Sequence, residues 1–343
     1  MCNTGKIAPL LLAWYDEHRR VLPWREDVSP YRTWVSEIML QQTRVQAVVP
    51  YFQRFMDAAP EVADLAALPE ERLLALWQGL GYYSRARNLH RAACEMVERY
   101  GGRVPDDYDA LLALAGIGDY TAGAILSIAY GQRVPAVDGN VLRIAARLTG
   151  REDNVLEPSV RASFRTWIEA ALPETRAGDF NQAMMDLGAT VCLPKTPDCE
   201  SCPLSPLCTA RRENRQNALP VREKRSKRRI EKRTVLLLEK EGKTALHKRP
   251  DSGLLAGLWE LPNVEGELDE TQIVSLLAQY RLSPVQWYDR RETKHIFTHI
   301  TWEMTVYRLA VTGDGAVDWI WCPPEDRGQY PMATAFGKLL TFE

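Results

Sequence analysis

The sequence predicts two domains, an all-α region over 1–212 and an α+β region over 233–343, on three observations. Apolar residues recur at helical spacing through the first part. From about 233 the texture changes to strand-like runs and a hairpin signal. A strongly basic stretch lies between the two. A length of 343 residues suits two domains better than one large core. With 45% hydrophobic and 26% charged residues the composition is that of a soluble globular protein, which argues against a mostly disordered chain.

The run Ile7–Trp14 leads into Tyr15-Asp-Glu-His-Arg-Arg20 and reads as an amphipathic first helix. No small-residue cleavage pattern follows, so it is not a signal peptide, and the expected compartment is the cytoplasm. No stretch reaches the ~18 apolar residues of a membrane helix, so no membrane partner is expected. Helical spacing is clear in 31–45 (Tyr31, Trp34, Val35, Ile38, Val45), 107–113, 121–130, 141–148 and 160–171. Pro30 sits at a favourable helix start, and Pro60, Pro105 and Pro135 mark joints. In the second part, Val235–Leu238 and Thr244–Leu246 flank Glu241-Gly242, a hairpin signal. Ile300, Trp302, Met304 and Val306 alternate with Thr301, Glu303 and Thr305, the pattern of a half-buried strand. Asp269–Tyr280 and Met332–Leu340 read as helices.

Net charge is −2, which by itself points to no nucleic-acid partner, but its distribution is uneven. Residues 211–233 hold 11 basic and three acidic residues, so this segment carries +8 and the rest of the chain −10. Such a block is a solvated linker, assigned here to 213–232, or a linker that also touches phosphates.

Four of the seven cysteines cluster as Cys192-x6-Cys199-x2-Cys202-x5-Cys208. Thiols of an unexported chain stay reduced, so a disulfide framework is not expected and four thiolates this close want a metal. Pro194, Pro197, Pro203 and Pro206 make the segment a tight loop. Structural zinc usually takes two short-spaced pairs, whereas one short pair between longer gaps suits a bulkier iron–sulfur cubane; spacing alone leaves both open.

Leu112–Gly116-Ile-Gly118–Ile125 reads as helix, Gly-x-Gly turn, helix. Glycines permit positive φ and close backbone approach, and amides at the second helix's start can hold a phosphate. A plain helix–helix turn fits equally well. Twenty residues on, Asp138 opens the next helix. It is a simple N-cap, or a carboxylate kept ionised by amides and the helix dipole. Glu37 is an exposed helix glutamate, or a carboxyl whose pKa rises beside Leu40 at i+3. One ionised Asp and one protonatable Glu make the acid and stabiliser pair that glycosidic cleavage needs.

Together these motifs resemble the helix–hairpin–helix DNA glycosylases with a [4Fe–4S] cluster, and among them the adenine DNA glycosylases of the MutY type. The matching segments are Leu22-Pro-Trp24-Arg25, Ser36–Thr43, Gly79–Leu89, Val137–Asn140, Phe180–Gly188 and the cysteine loop. The resemblance implies two helical lobes, a hairpin at about 111–131 and a [4Fe–4S] cluster on Cys192, Cys199, Cys202 and Cys208. It also implies excision of adenine mispaired with 8-oxoguanine, or with guanine, from duplex DNA after base flipping. Glu37 is then the acid that protonates adenine N7. Asp138 stabilises the oxocarbenium ion or forms a transient adduct, with Tyr120 and Asn140 in support. Trp24, Arg25, Leu40 and Gln182 line the adenine pocket. Gln42, Thr43 and Tyr82 meet the duplex near the lesion and Gly116 and Gly118 meet its backbone, Gln42 and Tyr82 as wedges. One of Tyr82 and Tyr83 is expected in the core. Relatives of the endonuclease III type place a Lys where this chain has Tyr120; without that amine no Schiff base forms, and strand cleavage is not expected.

The second domain is similar to the family's Nudix-like fold, beginning with Gly253–Pro262, and Phe297-Thr298-His299 matches a loop that reads 8-oxoguanine. That loop also fits a strand end with a solvated His. No Arg-Glu-x-x-Glu-Glu metal box follows in 263–277, so pyrophosphate hydrolysis is not expected. Three departures stand out: Thr298 in place of the loop's Ser, which keeps the hydroxyl and adds a methyl, Ala115 in place of a Pro before the hairpin, and Asp119 beside the expected phosphate. The competing functions are a pyrimidine glycosylase with lyase activity and a non-catalytic iron–sulfur DNA-binding protein. A monomer is expected.

Overall fold

The computed structural model describes residues 4–223, 229–250, 253–297 and 299–340. Backbone contacts divide the chain into a helical unit, 1–68 with 87–224, and a sheet unit, 69–86 with 225–343. The first strand begins at Arg229, inside the span the sequence assigns to a linker, and 224–228 lie outside the described residues.

In the helical unit, α1 (Ile7–His18) buries Ile7, Leu11 and Tyr15 at intervals of four. After a short α2 (Pro23–Glu26), α3 (Pro30–Leu40) starts at Pro30 with the Ser29 hydroxyl accepting from the Arg32 amide. The expected single helix over 31–45 is two. α3 stops at Leu40, Gln42 takes a φ of 59°, and α4 (Val45–Ala58) follows. Both helices bury their apolar faces, so the spacing runs on through the break and hides it.

Next come α5 (Val62–Ala67), α6 (Glu70–Trp77), α7 (Ser84–Tyr100) and α8 (Tyr108–Ala113), of which α6 belongs to the sheet unit. The stretch 121–130, read as one helix, is α9 (Asp119–Ala124) continued by a π-helical turn, Ile125–Ala129. α10 (Gly139–Thr149), α11 (Pro158–Ala171) and α12 (Ala177–Thr190) complete the main core. There Ile144, Leu148, Phe164, Phe180 and Leu187 pack with Leu11 and Tyr15. A short α13 (Thr209–Arg212) follows the cysteine loop.

Residues 213–223 are not wholly a solvated tether. Leu219 is buried and its carbonyl accepts from Arg147 Nε at 3.0 Å, and the Val221 carbonyl accepts from the Val155 amide at 3.1 Å.

In the sheet unit, β1 (Arg229–Lys240) and β2 (Lys243–Lys248) form the expected hairpin, with Glu241 and Gly242 both at positive φ. β3 (Trp259–Glu260) and β4 (Asn263–Glu265) are short. α14 (Glu270–Gln279) carries a capping box between Asp269 and Gln272. β5 (Leu282–Ile296) and β6 (Ile300–Gly313) pair antiparallel, and β6 runs parallel to β1. β7 (Trp319–Cys322) pairs with β2. The sheet order is β3-β2-β1-β6-β5, with β4 on β1.

β6 is more than the half-buried strand expected. Thr305, Tyr307, Leu309 and Val311 on its other face are buried too, because it is an inner strand covered on both sides. Of the helix expected over Met332–Leu340, only α15 (Thr334–Gly337) is regular. Among the described residues no helix is long and apolar enough to cross a membrane.

Candidate active site

The helical unit holds an open cleft of about 1840 Å³. α3, the hairpin between α8 and α9, the N-terminus of α10 and one face of α12 form its walls. Glu37, Tyr120, Asp138 and Asn140 all line it, and so do Trp24, Arg25, Leu40 and Gln182. These groups from α2, α3, α9, α10 and α12 therefore meet in one place, which a sequence cannot show.

Glu37 is not an exposed helix residue. It is 5% exposed, with the Tyr120 hydroxyl donating to its Oε2. Burial pushes its carboxyl up to about 7, and the Asp138 charge pushes the same way. The Tyr120 hydrogen bond and the Arg25 guanidinium oppose this. Tyr120 in turn is raised well above the usual tyrosine range by burial and by Glu37 and Asp138, so it stays a neutral donor.

Asp138 is both a helix cap and a site carboxylate. Oδ1 accepts from the Asn140 and Val141 amides and Oδ2 from Asn140 Nδ2, each at 2.8 Å. These bonds favour the ionised form. Burial raises the carboxyl, and the three bonds and Arg143 offset only part of that. Asn140 Oδ1 accepts from Arg143 Nη2 at 2.9 Å, and Arg143 Nε reaches the Cys192 carbonyl at 2.9 Å. The Asp138 support thus continues to the cysteine loop.

Trp24 is buried, edge-on to Phe52 at 5.2 Å. Gln182 is buried on α12. Arg25 is held from behind by Asp186, which also binds Arg20. Arg20, Met185 and Asp186 were not singled out in the sequence, although Met185 and Asp186 lie inside the quoted segment Phe180–Gly188. A polar residue every fourth position on α12 is a signal that would have found Asp186.

The hairpin needs only one of its glycines for its own shape. Gly116 sits at φ 78°, and an added Cβ would lie 2.8 Å from Asn88 Cβ. Gly118, at φ −109°, is extended, so the positive φ that glycine permits is used at Gly116 alone of the two. An added Cβ at Gly118 meets nothing within 4 Å, so no contact within the described protein requires glycine. Asp119 does not stand alone: Tyr108 donates to its Oδ1 at 2.7 Å and Arg165 at 3.2 Å. Gln42, in its left-handed turn, and Thr43 line the cleft's edge.

The chain matches the model of the HhH-GPD superfamily of base excision DNA repair proteins over residues 35–170, and that of a NUDIX domain over 233–342. It is 36% identical to the human adenine DNA glycosylase over 396 residues, covering 96% of this chain and 72% of that one. The chain belongs to the adenine DNA glycosylase family. The helical part of this glycosylase is also similar to a solved thermostable thymine-DNA glycosylase, with a TM-score of 0.57, 29% identity, and coverage of 61% of this chain and 97% of that one. It resembles endonuclease III in a non-covalent DNA complex, with a TM-score of 0.53, 25% identity, and coverage of 62% and 99%.

In the helical unit of the glycosylase Cys192, Cys199, Cys202 and Cys208 ring one small cavity, and none of the four is in a disulfide. Arg147, 2% exposed on α10, donates to Cys192 Sγ at 3.2 Å and to the carbonyls of Leu193, Pro194 and Leu219. Burial lifts the Cys202 thiol to about 12 and raises Cys199 and Cys208 as well. Among the described residues no three His, Cys, Asp or Glu form a set around a single ion. Four soft donors spread around a cavity are a chemistry that a multi-iron cluster accepts.

In the sheet unit, Phe297 and His299 lie at the turn between β5 and β6; Thr298 is outside the described residues. The Phe297 ring is edge-on to His295 at 4.6 Å and Trp302 at 4.8 Å, and its amide donates to the Ile300 carbonyl at 2.8 Å. Tyr82, 47% exposed at φ 49°, and Tyr83, buried, also belong to this unit.

Proposed function

We propose that this chain excises adenine paired with 8-oxoguanine in duplex DNA, by hydrolysis and without strand cleavage. The observation that carries the reading is the pairing of unlike carboxyls in one cleft: Glu37, lifted to about 7 beside Tyr120, and Asp138, tied to the start of α10. The adenine nucleotide leaves the stack and enters the cleft, since its glycosidic bond is out of reach inside the duplex. Trp24, Arg25, Leu40 and Gln182 enclose the base. Glu37 donates its proton to adenine N7 while Tyr120 holds the carboxyl in place. The C1′–N9 bond breaks, its electron pair leaves with the base, and Asp138 faces the developing positive sugar, directly or as a transient ester. Water then completes the sugar. Asn140 keeps the Asp138 carboxylate aimed.

Gly116 and Gly118 let a phosphate approach the hairpin backbone, and the open space beside Gly118 suits that role. Gln42 and Tyr82, each at positive φ on an exposed turn, are the wedges. Phe297, Thr298 and His299 read the oxidised guanine. Cys192, Cys199, Cys202 and Cys208 hold a [4Fe–4S] cluster, which when bound cross-links the 192–208 loop.

The test is a duplex carrying 8-oxoguanine opposite adenine, labelled on the adenine strand, incubated with the protein and split. Breakage only after hot alkali is expected. Breakage without alkali would point to a lyase, and intact strands in both halves would overturn the reading.

A further inference from the structure

Behind the adenine wall lies a buried carboxylate that takes no part in the reaction as described. Asp186 is fully buried on α12, one turn after Gln182, and does not itself line the cleft. Arg25 donates to both of its oxygens, at 2.7 and 3.0 Å. Arg20 adds Nε at 2.7 Å and its backbone amide at 3.3 Å. Both arginines do line the cleft, and Arg25 acts electrostatically on Glu37 and Tyr120 from there. A guanidinium beside a carboxyl pairs with it and keeps it ionised unless something else holds the guanidinium. An acid kept ionised has no proton to give.

We propose that Asp186 is a positioning residue for adenine excision: it clamps the Arg25 guanidinium into the adenine wall and off Glu37, leaving Glu37 able to carry the proton that departs with the base. This rests on the reading of Glu37 as the acid. Bidentate pairing fixes the plane of the Arg25 fork as well as its distance. Tyr15 of α1, Glu37 of α3, Tyr120 of α9, Asp138 at the start of α10 and Asp186 of α12 face Arg25 and Arg20 or one another. Arg143 acts on Asp138, and Arg19 and Asp179 act on Tyr15. Asp138 is already engaged by the α10 amides, so Asp186 is the counter-charge available to Arg25.

The experiment compares wild type, D186N, R25Q and D186N/R25Q by single-turnover adenine excision against pH. In parallel, the titration of the Glu37 carboxyl carbon is followed by 13C NMR, which needs no activity. In wild type the rate falls as pH rises through about 7, where Glu37 loses its proton. D186N frees the guanidinium, so the falling limb and the Glu37 titration move down by about one pH unit. That is roughly a tenfold loss at pH 8 and little at pH 5.5. R25Q removes the cation, so both move up, and the double variant behaves like R25Q. R25Q leaves no unpaired buried guanidinium, so the proposal stays testable if D186N does not fold. A D186N rate lowered equally at every pH with an unmoved titration, or an R25Q titration that moves down, would overturn it. Titrations that shift as stated in a protein releasing no adenine would sink the functional reading and leave the clamp standing.

Discussion

In the helical unit the candidate reacting groups are buried, as Glu37 is, or half-buried, as Tyr120, Asp138 and Asn140 are, and they are tied to one another. In the sheet unit the candidate recognition loop stands at the tip of a hairpin with His299 exposed. Glu37, Tyr120, Asp138 and Asn140 share hydrogen bonds or charge interactions, and burial raises the pKa of the three that titrate. Phe297 is held by two rings and one backbone bond. The difference follows from the tasks. A proton donor near neutral pH needs a low-dielectric surrounding, which only packing supplies. A base reader needs edges free to meet another molecule, so its support is placed behind it.

The largest effect expected from breaking this contrast is at Glu37. E37Q keeps the shape and can still accept from Tyr120, but has no proton to donate. Adenine excision should fall by about 10³-fold, within the range for losing a general acid, while duplex binding persists. The same variant should gain stability. Glu37's carboxyl rises from 4.5 to about 7 on folding, so between those values the folded state holds a proton that the unfolded chain has released. Wild-type stability therefore declines as pH climbs through that window and is level above it, a loss on the order of 3 kcal/mol. Gln carries no such loss. The melting temperature of E37Q should exceed that of wild type at pH 8 and match it near pH 4. A lower value at pH 8 would show that the carboxyl is not buried at a cost.

A smaller effect is expected at the recognition loop. F297A removes the ring between His295 and Trp302 and should cut the preference for 8-oxoguanine:adenine over guanine:adenine by about tenfold. This assumes the loop supplies one good base contact. Equal losses on both duplexes would remove the loop from recognition. A point variant is a cleaner probe than truncation at 233, because Pro69–Ala86 belongs to the sheet unit. Within that unit Glu71 pairs with Lys248 at 3.7 Å, and Tyr83 donates to the Met332 carbonyl at 3.5 Å. Truncation would strip these contacts along with the loop.

That grouping was not legible in the sequence, where 69–86 reads as one more helical stretch. Periodicity reports that a face is apolar and not which core it enters. The α3–α4 break was hidden for the same reason. Asp186 and Arg147 were missed because a charged residue on a helix reads as a solvated face, and only packing reveals that its partners are buried. Legible features were those whose chemistry needs fixed local spacing: the four-cysteine loop, the Gly-x-Gly hairpin, Asp138 at a helix start, and the Glu241-Gly242 turn. For Asp138 the residue and its amide partners were legible and its burial was not. Local amides are written in the sequence, but burial by distant elements outweighs them.

The smallest expected effect tests a departure that the sequence alone made look unfavourable. Asp119 would repel a phosphate at the hairpin, yet it is paired with Arg165 and Tyr108, so its charge is largely answered. The pair is solvent-exposed, and such pairs are worth about 0.2–1 kcal/mol. In D119A the negative charge is gone and Arg165 is released toward the cleft it lines. Duplex affinity at low salt should therefore rise about two- to threefold, and the gain should vanish as salt screens it, with single-turnover excision unchanged. A loss of affinity instead would mean that Asp119 holds Arg165 where a phosphate needs it. The hairpin would then follow the same rule as the adenine wall, where a carboxylate behind an arginine sets where its charge is felt.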